Sequence, residues 1–231
     1  MRLLNGVLRA HRVSQNITRK SIEVRGKDNF VTSEQINAAN YWRNNGELIA
    51  DVASLGFIKG SVLDAAYGAG AFWTSYTPSD LTSNDLYTPA DYSYNFTDFP
   101  LNWENKWDTT VLDAPYKLNG TPSQGQIDKA YGVHRKATLQ ERMGLITDGS
   151  RECYRVTKDK GFLLIKVQDQ VSSGKMHFQT DTVSSALIEL GAVKVAQMHF
   201  LRSPRPQPQG RKQVHPRSNF STLMVFKKYA A

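Results

Sequence analysis

Short apolar stretches alternate with amphipathic ones along most of the chain. Hydrophobic residues at helical spacing predict helices over residues 46–58, 138–156 and 179–190. Apolar runs bounded by polar turns predict seven strands. These runs are Ser61–Ala65, Leu81–Asn84, Tyr94–Phe96, Thr109–Leu112, Gly161–Val167, Val193–Leu201 and Ser221–Lys227. Such an alternation indicates βαβ units, so we predict an α/β, Rossmann-like fold with a mostly parallel seven-stranded sheet and helices on both faces.

The first strand candidate leads into a glycine-rich turn. Asp64 lies near the end of the strand, and Gly68 and Gly70 follow, residues that can adopt positive φ angles and let a ligand approach the backbone. Trp73 stands where the dinucleotide-binding G-x-G-x-x-G pattern has glycine or alanine, which argues against an NAD-dependent dehydrogenase. An acid at the strand end repels a pyrophosphate but attracts a cation. The turn therefore favours S-adenosylmethionine, whose amino and sulfonium groups are positively charged.

Two further acids fall where such a cofactor needs them. Asp85 comes about 20 residues after Asp64, at the end of the next strand candidate, where an acid commonly binds ribose hydroxyls. Asp98 is placed to accept a hydrogen bond from the adenine amino group. The residues predicted to bind S-adenosylmethionine are Asp64, Ala65, Gly68, Gly70, Asp85 and Asp98.

Composition limits the class of protein. The 231 residues are 40% hydrophobic and 22% charged, globular values that exclude a collagen-like, coiled-coil or disordered chain. A single cysteine, Cys153, excludes a disulfide framework, and the five histidines show no zinc-binding spacing, so we predict no metal. No apolar run approaches the roughly 18 residues of a membrane span, so we expect no membrane partner.

Charge is concentrated at the two ends of the chain. The formal net charge is +8, and residues 190–231 contain eight basic residues and no acidic one. Residues 1–27 contain seven basic residues and one acidic residue. We therefore divide the chain into a basic N-terminal arm, residues 1–33, and a domain, residues 34–231, with a basic loop at 202–217. Contacts of Lys and Arg with phosphates indicate a polyanion partner, with a solvated tail as the alternative.

A second motif follows the strand candidate Thr109–Leu112. Its sequence, Asp113-Ala114-Pro115-Tyr116, resembles the Asp-Pro-Pro-Tyr motif of amino-group DNA methyltransferases, which modify N6 of adenine or N4 of cytosine. The order of the glycine turn, Asp85 and this motif agrees with that family, and the resemblance covers about residues 41–226. Similarity to small bacteriophage methylases extends over the stretches 117–122, 164–170 and 217–223. The resemblance implies a class I methyltransferase fold, DNA as the partner, no obligate protein partner, and a location in the cytoplasm of a bacterial host.

The resemblance also assigns a catalytic role to each residue of the motif. Asp113 and the main-chain carbonyl of Ala114 would accept the two hydrogens of the target amine, whose lone pair is otherwise delocalised into the ring. Pro115 would stiffen the turn, and Tyr116 would stack on a base flipped out of the duplex. The methyl group would then pass in line to the amine, with adenine N6 favoured over cytosine N4. Ala114 replaces the usual proline, which leaves open a non-catalytic nucleic-acid-binding relative.

Basic residues near these motifs are predicted to hold the nucleic acid. The connection at 202–217 is rich in proline, which prevents a helix, and its charged residues are all positive. The predicted phosphate contacts are Lys117, Lys166, Arg202, Arg205, Arg211, Lys212 and Arg217.

Some of the same residues resemble ribose 2′-O-methyltransferases of the FtsJ type, with RNA as the partner. That family uses a Lys-Asp-Lys-Glu set in which lysine assists deprotonation of a hydroxyl. Asp113 and Lys166 match the middle pair, whereas Glu47 lies near the position of the first lysine and Asn219 near that of the final glutamate. Because this chain lacks the first lysine and the final glutamate of the set, the amino-group interpretation is preferred. A C5-cytosine mechanism is set aside because Cys153 lies in a predicted helix and is interpreted as a buried small hydrophobic residue.

Overall fold

A computed structural model describes residues 41–118, 137–201, 215 and 218–229. The predicted arm, residues 1–33, and residues 202–214 and 216–217 of the predicted basic loop lie outside the described residues. The described α-helices are α1 (Asn45–Ser54), α2 (Leu139–Val156) and α3 (Gln179–Glu189), and Ala71–Trp73 and Leu101–Trp103 form short 3-10 helices. The strands are β1 (Val62–Asp64), β2 (Leu81–Ser83), β3 (Trp107–Leu112), β4 (Thr157–Val167), β5 (Gln170–Ser172), β6 (Lys175–His177), β7 (Val193–Leu201) and β8 (Phe220–Lys227).

The central sheet has the strand order β2-β1-β3-β4-β8-β7. Strands β1 to β4 run parallel, whereas β8 pairs antiparallel with both β4 and β7. The short strands β5 and β6 form a separate antiparallel hairpin. The predicted α/β, Rossmann-like fold with a mostly parallel sheet and helices on both faces is confirmed. Its main sheet contains six strands in the described part of the chain, not the predicted seven.

The predicted strand Tyr94–Phe96 is wrong. Beyond β2, Tyr92 forms an isolated parallel bridge with Asn84. The Asn84 side chain then binds the backbone of Tyr94, since its Nδ2 donates to the carbonyl at 3.0 Å and its Oδ1 accepts from the N–H at 2.8 Å. These side-chain bonds satisfy the peptide groups of Tyr94 in place of a strand ladder.

The three predicted helices are confirmed with small changes in their bounds. α1 ends at Ser54 rather than at residue 58, because Gly56 adopts a φ of 79° and its N–H bonds the carbonyl of Ala53. α2 begins after Thr138, whose side chain accepts from the N–H of Glu141 in a capping box. None of the helices in the described ranges combines the length and the apolar character that a membrane crossing needs.

Helices cover both faces of the sheet. Successive residues of a strand face opposite sides, so Leu164 of β4 packs in the α1 cluster while Leu163 and Ile165 pack in the cluster of α2 and α3. Buried side chains of α1 in the first cluster are Leu48, Ile49 and Val52. Those of α2 and α3 in the second cluster are Ile146, Cys153, Val156, Val183 and Leu187. This two-faced burial fixes the sheet, and with it the edge at which the parallel strands end.

Candidate functional site

The carboxyl ends of β1, β3 and β4 bring three predicted site residues to one edge of the sheet. The register places Asp64 of β1 opposite Val111 of β3, and Val111 opposite Leu164 of β4. Asp113 and Lys166 each follow two residues later along their strands. Ligands bind at this edge in open α/β sheets, so the position agrees with a functional site.

The turn after β1 leaves its backbone accessible at one glycine. Gly68 and Gly70 have φ angles of 55° and 69°, in the left-handed region that favours glycine. A Cβ at Gly70 would lie 2.6 Å from the hydroxyl of Tyr67, whereas a Cβ at Gly68 would have no atom within 4 Å. The space in front of Gly68 is therefore open to a ligand.

Asp64 is almost completely buried beneath this turn. Its side chain accepts hydrogen bonds from the indole Nε1 of Trp73 at 2.7 Å and from the N–H of Ala66 at 3.2 Å, and the residue is 3% exposed. Burial raises the pKa of Asp64 from 3.8 to about 7, with smaller contributions from the negative charges of Asp113 and Asp85. Asp64 thus fixes the turn through Trp73 and Ala66 and lies close below the edge.

The raised pKa of Asp64 predicts a pH-dependent stability. The unfolded chain loses the Asp64 proton near pH 3.8 and the folded chain near pH 7, so this residue's contribution to folding falls as pH rises through that window and is constant above it. As the pH rises from roughly 5 to 7, the free energy of unfolding of wild type should fall by about 1 kcal/mol per pH unit relative to that of Asp64→Asn. Urea unfolding at several pH values measures this difference. Asp148→Asn, at an exposed carboxylate, is the control, and a wild-type and Asp64→Asn difference that is independent of pH would contradict the expectation.

Asp85 connects the loops that follow β1 and β2. Its carboxylate accepts from the N–H groups of Gly68, Tyr87 and Thr88, each at 2.8 Å, and the residue is 8% exposed. The Thr88 hydroxyl donates back to the carbonyl of Gly68 at 3.0 Å. A ribose hydroxyl would share the Asp85 oxygens with these three donors, and its binding there stays a prediction.

Asp98 lies on an exposed turn beside α2. Its N–H bonds the carbonyl of Asn95, and its charge helps to raise the pKa of Arg155, after the larger effect of Glu152. Arg155 in turn binds the carbonyls of Phe99 and Pro100, at 3.0 and 3.3 Å. The predicted contact of Asp98 with adenine stays a prediction.

Asp113 and Lys166 form a buried ion pair. The Lys166 Nζ lies 3.2 Å from Oδ1 and 3.0 Å from Oδ2 of Asp113. The Lys166 side chain is fully buried, whereas that of Asp113 is 20% exposed. The carboxylate therefore reaches the surface of the site, and the ammonium binds it from the buried side.

The predicted phosphate contact of Lys166 is wrong for this structure. Rings of three aromatic residues surround its Nζ, with centroids at 5.4 Å for Phe72, 5.7 Å for Tyr116 and 5.8 Å for Phe200. Because the ammonium is buried among these rings and paired with Asp113, a backbone phosphate cannot reach it. Phe200 was missed by the sequence interpretation, although its place in β7 was predicted. The pairing of β8 with both β4 and β7 brings its ring to Lys166.

The other residues of the second motif continue from this pair. Ala114 is buried, Pro115 and Tyr116 are half-buried, and Lys117 is exposed. The predicted catalytic residues thus lie together at the sheet edge, with Tyr116 beside Lys166. The predicted phosphate contacts Arg202, Arg205, Arg211, Lys212 and Arg217 lie outside the described residues.

The cysteine and the metal-binding side chain types bear on other kinds of catalysis. Cys153 is fully buried and its burial raises the pKa of the thiol, which confirms its interpretation as a small hydrophobic residue. Across the described ranges, no group of three or more His, Cys, Asp or Glu side chains is arranged to hold a metal ion.

Comparisons with known proteins give similarity in structure but none in sequence. No protein-family model and no curated protein matches the chain. A search of solved structures finds the N-methyltransferase NodS from Bradyrhizobium japonicum, with 13% identity and a TM-score of 0.48 over 79% of this chain and 93% of that chain. It also finds a 1,6-didemethyltoxoflavin-N1-methyltransferase from Burkholderia thailandensis, with 13% identity and a TM-score of 0.44 over 80% and 77%. A candidate DNA modification methylase from Thermus thermophilus has 13% identity and a TM-score of 0.39 over 74% of this chain and 57% of its own. The fold assignment rests on the strand order and directions given above.

Proposed function

We propose that the protein is an S-adenosylmethionine-dependent methyltransferase that modifies an exocyclic amino group of a DNA base, with adenine N6 favoured over cytosine N4. The observation that carries the proposal is the Asp113 carboxylate. It lies partly exposed at the carboxyl end of β3, held by Lys166, and the residues that follow it resemble the Asp-Pro-Pro-Tyr motif.

The turn after β1 fits the proposed cofactor. The open space at Gly68 admits a ligand to the backbone, and the carboxylate of Asp85 next to it suits a cation. S-adenosylmethionine would supply an electrophilic methyl group on a positively charged sulfur. The residues that would hold it are Asp64, Ala65, Gly68, Gly70 and Asp85, with Asp98 as a further predicted contact.

Asp113 is suited to accept hydrogens from an amine. Lys166 occupies one position on each carboxylate oxygen, and each oxygen keeps a second lone pair for the target. The positive charge of Lys166 balances the negative charge of Asp113, which lies near Asp64. The Ala114 carbonyl would accept the second amine hydrogen, and Tyr116 would stack on the flipped base. Positioning and electrostatic stabilisation are the two contributions that these residues make.

A second candidate function is ribose 2′-O-methylation of RNA. It is favoured by the direct Asp113–Lys166 contact, because these two residues match the middle pair of the Lys-Asp-Lys-Glu set of the ribose 2′-O-methyltransferases. Glu47, near the position of the missing first lysine, is itself paired with Arg43 across an exposed turn. Transfer of a labelled methyl group to DNA and RNA, followed by digestion to nucleosides, separates the two functions. Cofactor binding without transfer to either would support the non-catalytic alternative.

The basic loop provides a test of DNA as the partner. Removal of one lysine or arginine that binds a phosphate is expected to reduce the slope of log affinity against log salt by roughly 0.9. The combined variant Arg205→Gln, Arg211→Gln and Lys212→Gln should therefore lower the slope by up to about 3 units. Fluorescence anisotropy of labelled DNA at several salt concentrations measures it. The matched control replaces three exposed lysines at the opposite edge of the sheet, Lys59, Lys106 and Lys160. Equal slopes for the two triple variants would argue against phosphate binding by the basic loop.

A further inference from the structure

Side chains from other elements hold the segment that follows Asp113. Residues 113–118 form neither helix nor strand. Gln170, the first residue of β5, donates from Nε2 to the carbonyl of Tyr116 at 3.1 Å. Gln179, the first residue of α3, donates from its own Nε2 to the same carbonyl at 2.9 Å. Two amide groups therefore bind one peptide oxygen of the segment.

The next two residues are held in the same manner. The N–H of Leu118 donates to Oε1 of Gln170 at 3.1 Å, and Arg142 Nη1 donates to the carbonyl of Lys117 at 2.7 Å. Arg142 lies in the first turn of α2 and is 8% exposed. Three consecutive residues are thus bound by side chains of β5, α3 and α2.

Gln179 binds the Tyr116 carbonyl from a buried position, where its amide group loses its contact with water. It is fully buried, and a buried amide requires hydrogen bonds to offset its desolvation. Its Nε2 donates to the carbonyls of Tyr116 and Gln168, the latter at 2.6 Å, whereas its Oε1 is buried without a hydrogen-bond partner in the described part of the chain. Asp169 fixes the start of α3 by accepting from the N–H of Thr180 at 3.0 Å. An apolar residue would fill this position without a polar penalty, so the amide indicates a requirement to hold Tyr116.

We propose that Gln170, Gln179 and Arg142, which we call the loop clamp, are positioning residues for the methyl-transfer reaction. They act through the backbone of Tyr116 to Leu118. The clamp fixes the Tyr116 ring next to the Lys166 ammonium and keeps the Ala114 carbonyl aligned with Asp113. This inference rests on the proposed function and adds the residues that determine the geometry of its target pocket.

The test uses Gln170, which is only half-buried and so tolerates substitution better than Gln179. In Gln170→Glu the carboxylate still accepts from Leu118 but faces the Tyr116 carbonyl without a donor. Gln170→Ala, which removes both bonds without adding charge, is the second variant. We expect kcat for methyl transfer to DNA to fall by about 10- to 100-fold in both, because small displacements of a positioned group cost this much. The Kd for S-adenosylmethionine should change less than about twofold, because the cofactor is bound at the turn after β1.

Two further measurements separate positioning from a structural role. Hydrogen exchange at the Leu118 amide should accelerate in Gln170→Ala, which removes its acceptor, and stay near the wild-type rate in Gln170→Glu, whose carboxylate still accepts from it. Gln197→Glu, at an exposed glutamine of β7, is the matched control and should leave kcat and Leu118 exchange unchanged. Wild-type kcat in a folded Gln170→Ala variant with faster Leu118 exchange would overturn the positioning role of the loop clamp alone. A wild-type protein that methylates no nucleic acid would overturn the proposed function, and the clamp's role with it.

Discussion

Asp113→Asn is expected to lower kcat for methyl transfer by about 10²- to 10³-fold, the range for removal of a group that stabilises developing charge. Asparagine keeps the shape of the side chain but loses the negative charge and one of its two acceptor oxygens. The Kd for S-adenosylmethionine should stay near that of wild type, because the proposed function assigns Asp113 to the target amine and the turn at Gly68 to the cofactor. Single-turnover transfer and equilibrium binding of the cofactor measure the two quantities.

Removal of the Asp113 charge also lowers the stability of the fold, so a second variant is needed to separate the effect on stability from the effect on methyl transfer. The Lys166 ammonium loses its partner in the interior, at an expected cost of about 1–3 kcal/mol in the free energy of unfolding. The double variant Asp113→Asn with Lys166→Met removes both charges and should regain most of that stability. It should stay as inactive as the single variant. Recovery of transfer together with stability would show that Asp113 has only a structural role.

Gly68→Ala is expected to weaken S-adenosylmethionine binding by about 10- to 100-fold, since a methyl group would enter the space that the ligand needs. The same substitution strains the backbone, because Gly68 has a positive φ. Gly174→Ala is the matched control: Gly174 has a φ of 75° and, like Gly68, no atom within 4 Å of an added Cβ. It lies in the turn between β5 and β6. Isothermal titration of both variants with S-adenosylmethionine isolates the effect at Gly68. Equal affinities of the two variants would indicate that the cofactor does not bind at Gly68.

The strands and helices could be predicted largely because their apolar periodicity is strong. The interior strand β4 and the helix α2 illustrate this, since a continuous apolar run and a capping box identify them locally. The segment Tyr94–Phe96 has a similar apolar pattern but forms no strand, because the Asn84 side chain binds the backbone of Tyr94. The hairpin of β5 and β6 was not predicted, since its strands have three residues each and little apolar character.

Residues of the site could be named from the sequence, but their contacts could not. The carboxyl end of a strand indicates that Asp113 reaches the edge, and the same reasoning applies to Lys166. That these two side chains meet depends on β3 and β4 being neighbours in register, which no local pattern reveals. For this reason the preferred interpretation made Lys166 a phosphate contact, although the resemblance to ribose 2′-O-methyltransferases had grouped it with Asp113. The loop clamp was missed for the same reason, because Gln170 and Gln179 lie 54 and 63 residues along the chain from the carbonyl they bind.

The position of a transferred methyl group tests the central claim most directly. Wild type and Asp113→Asn would be incubated with labelled S-adenosylmethionine and either DNA or RNA, and the products digested to nucleosides and separated. The proposed function predicts label in N6-methyladenine, or in N4-methylcytosine, from DNA, with loss of that label in Asp113→Asn. Label found only on the ribose of RNA would contradict the amino-group mechanism, and label undiminished in Asp113→Asn would contradict the role of Asp113.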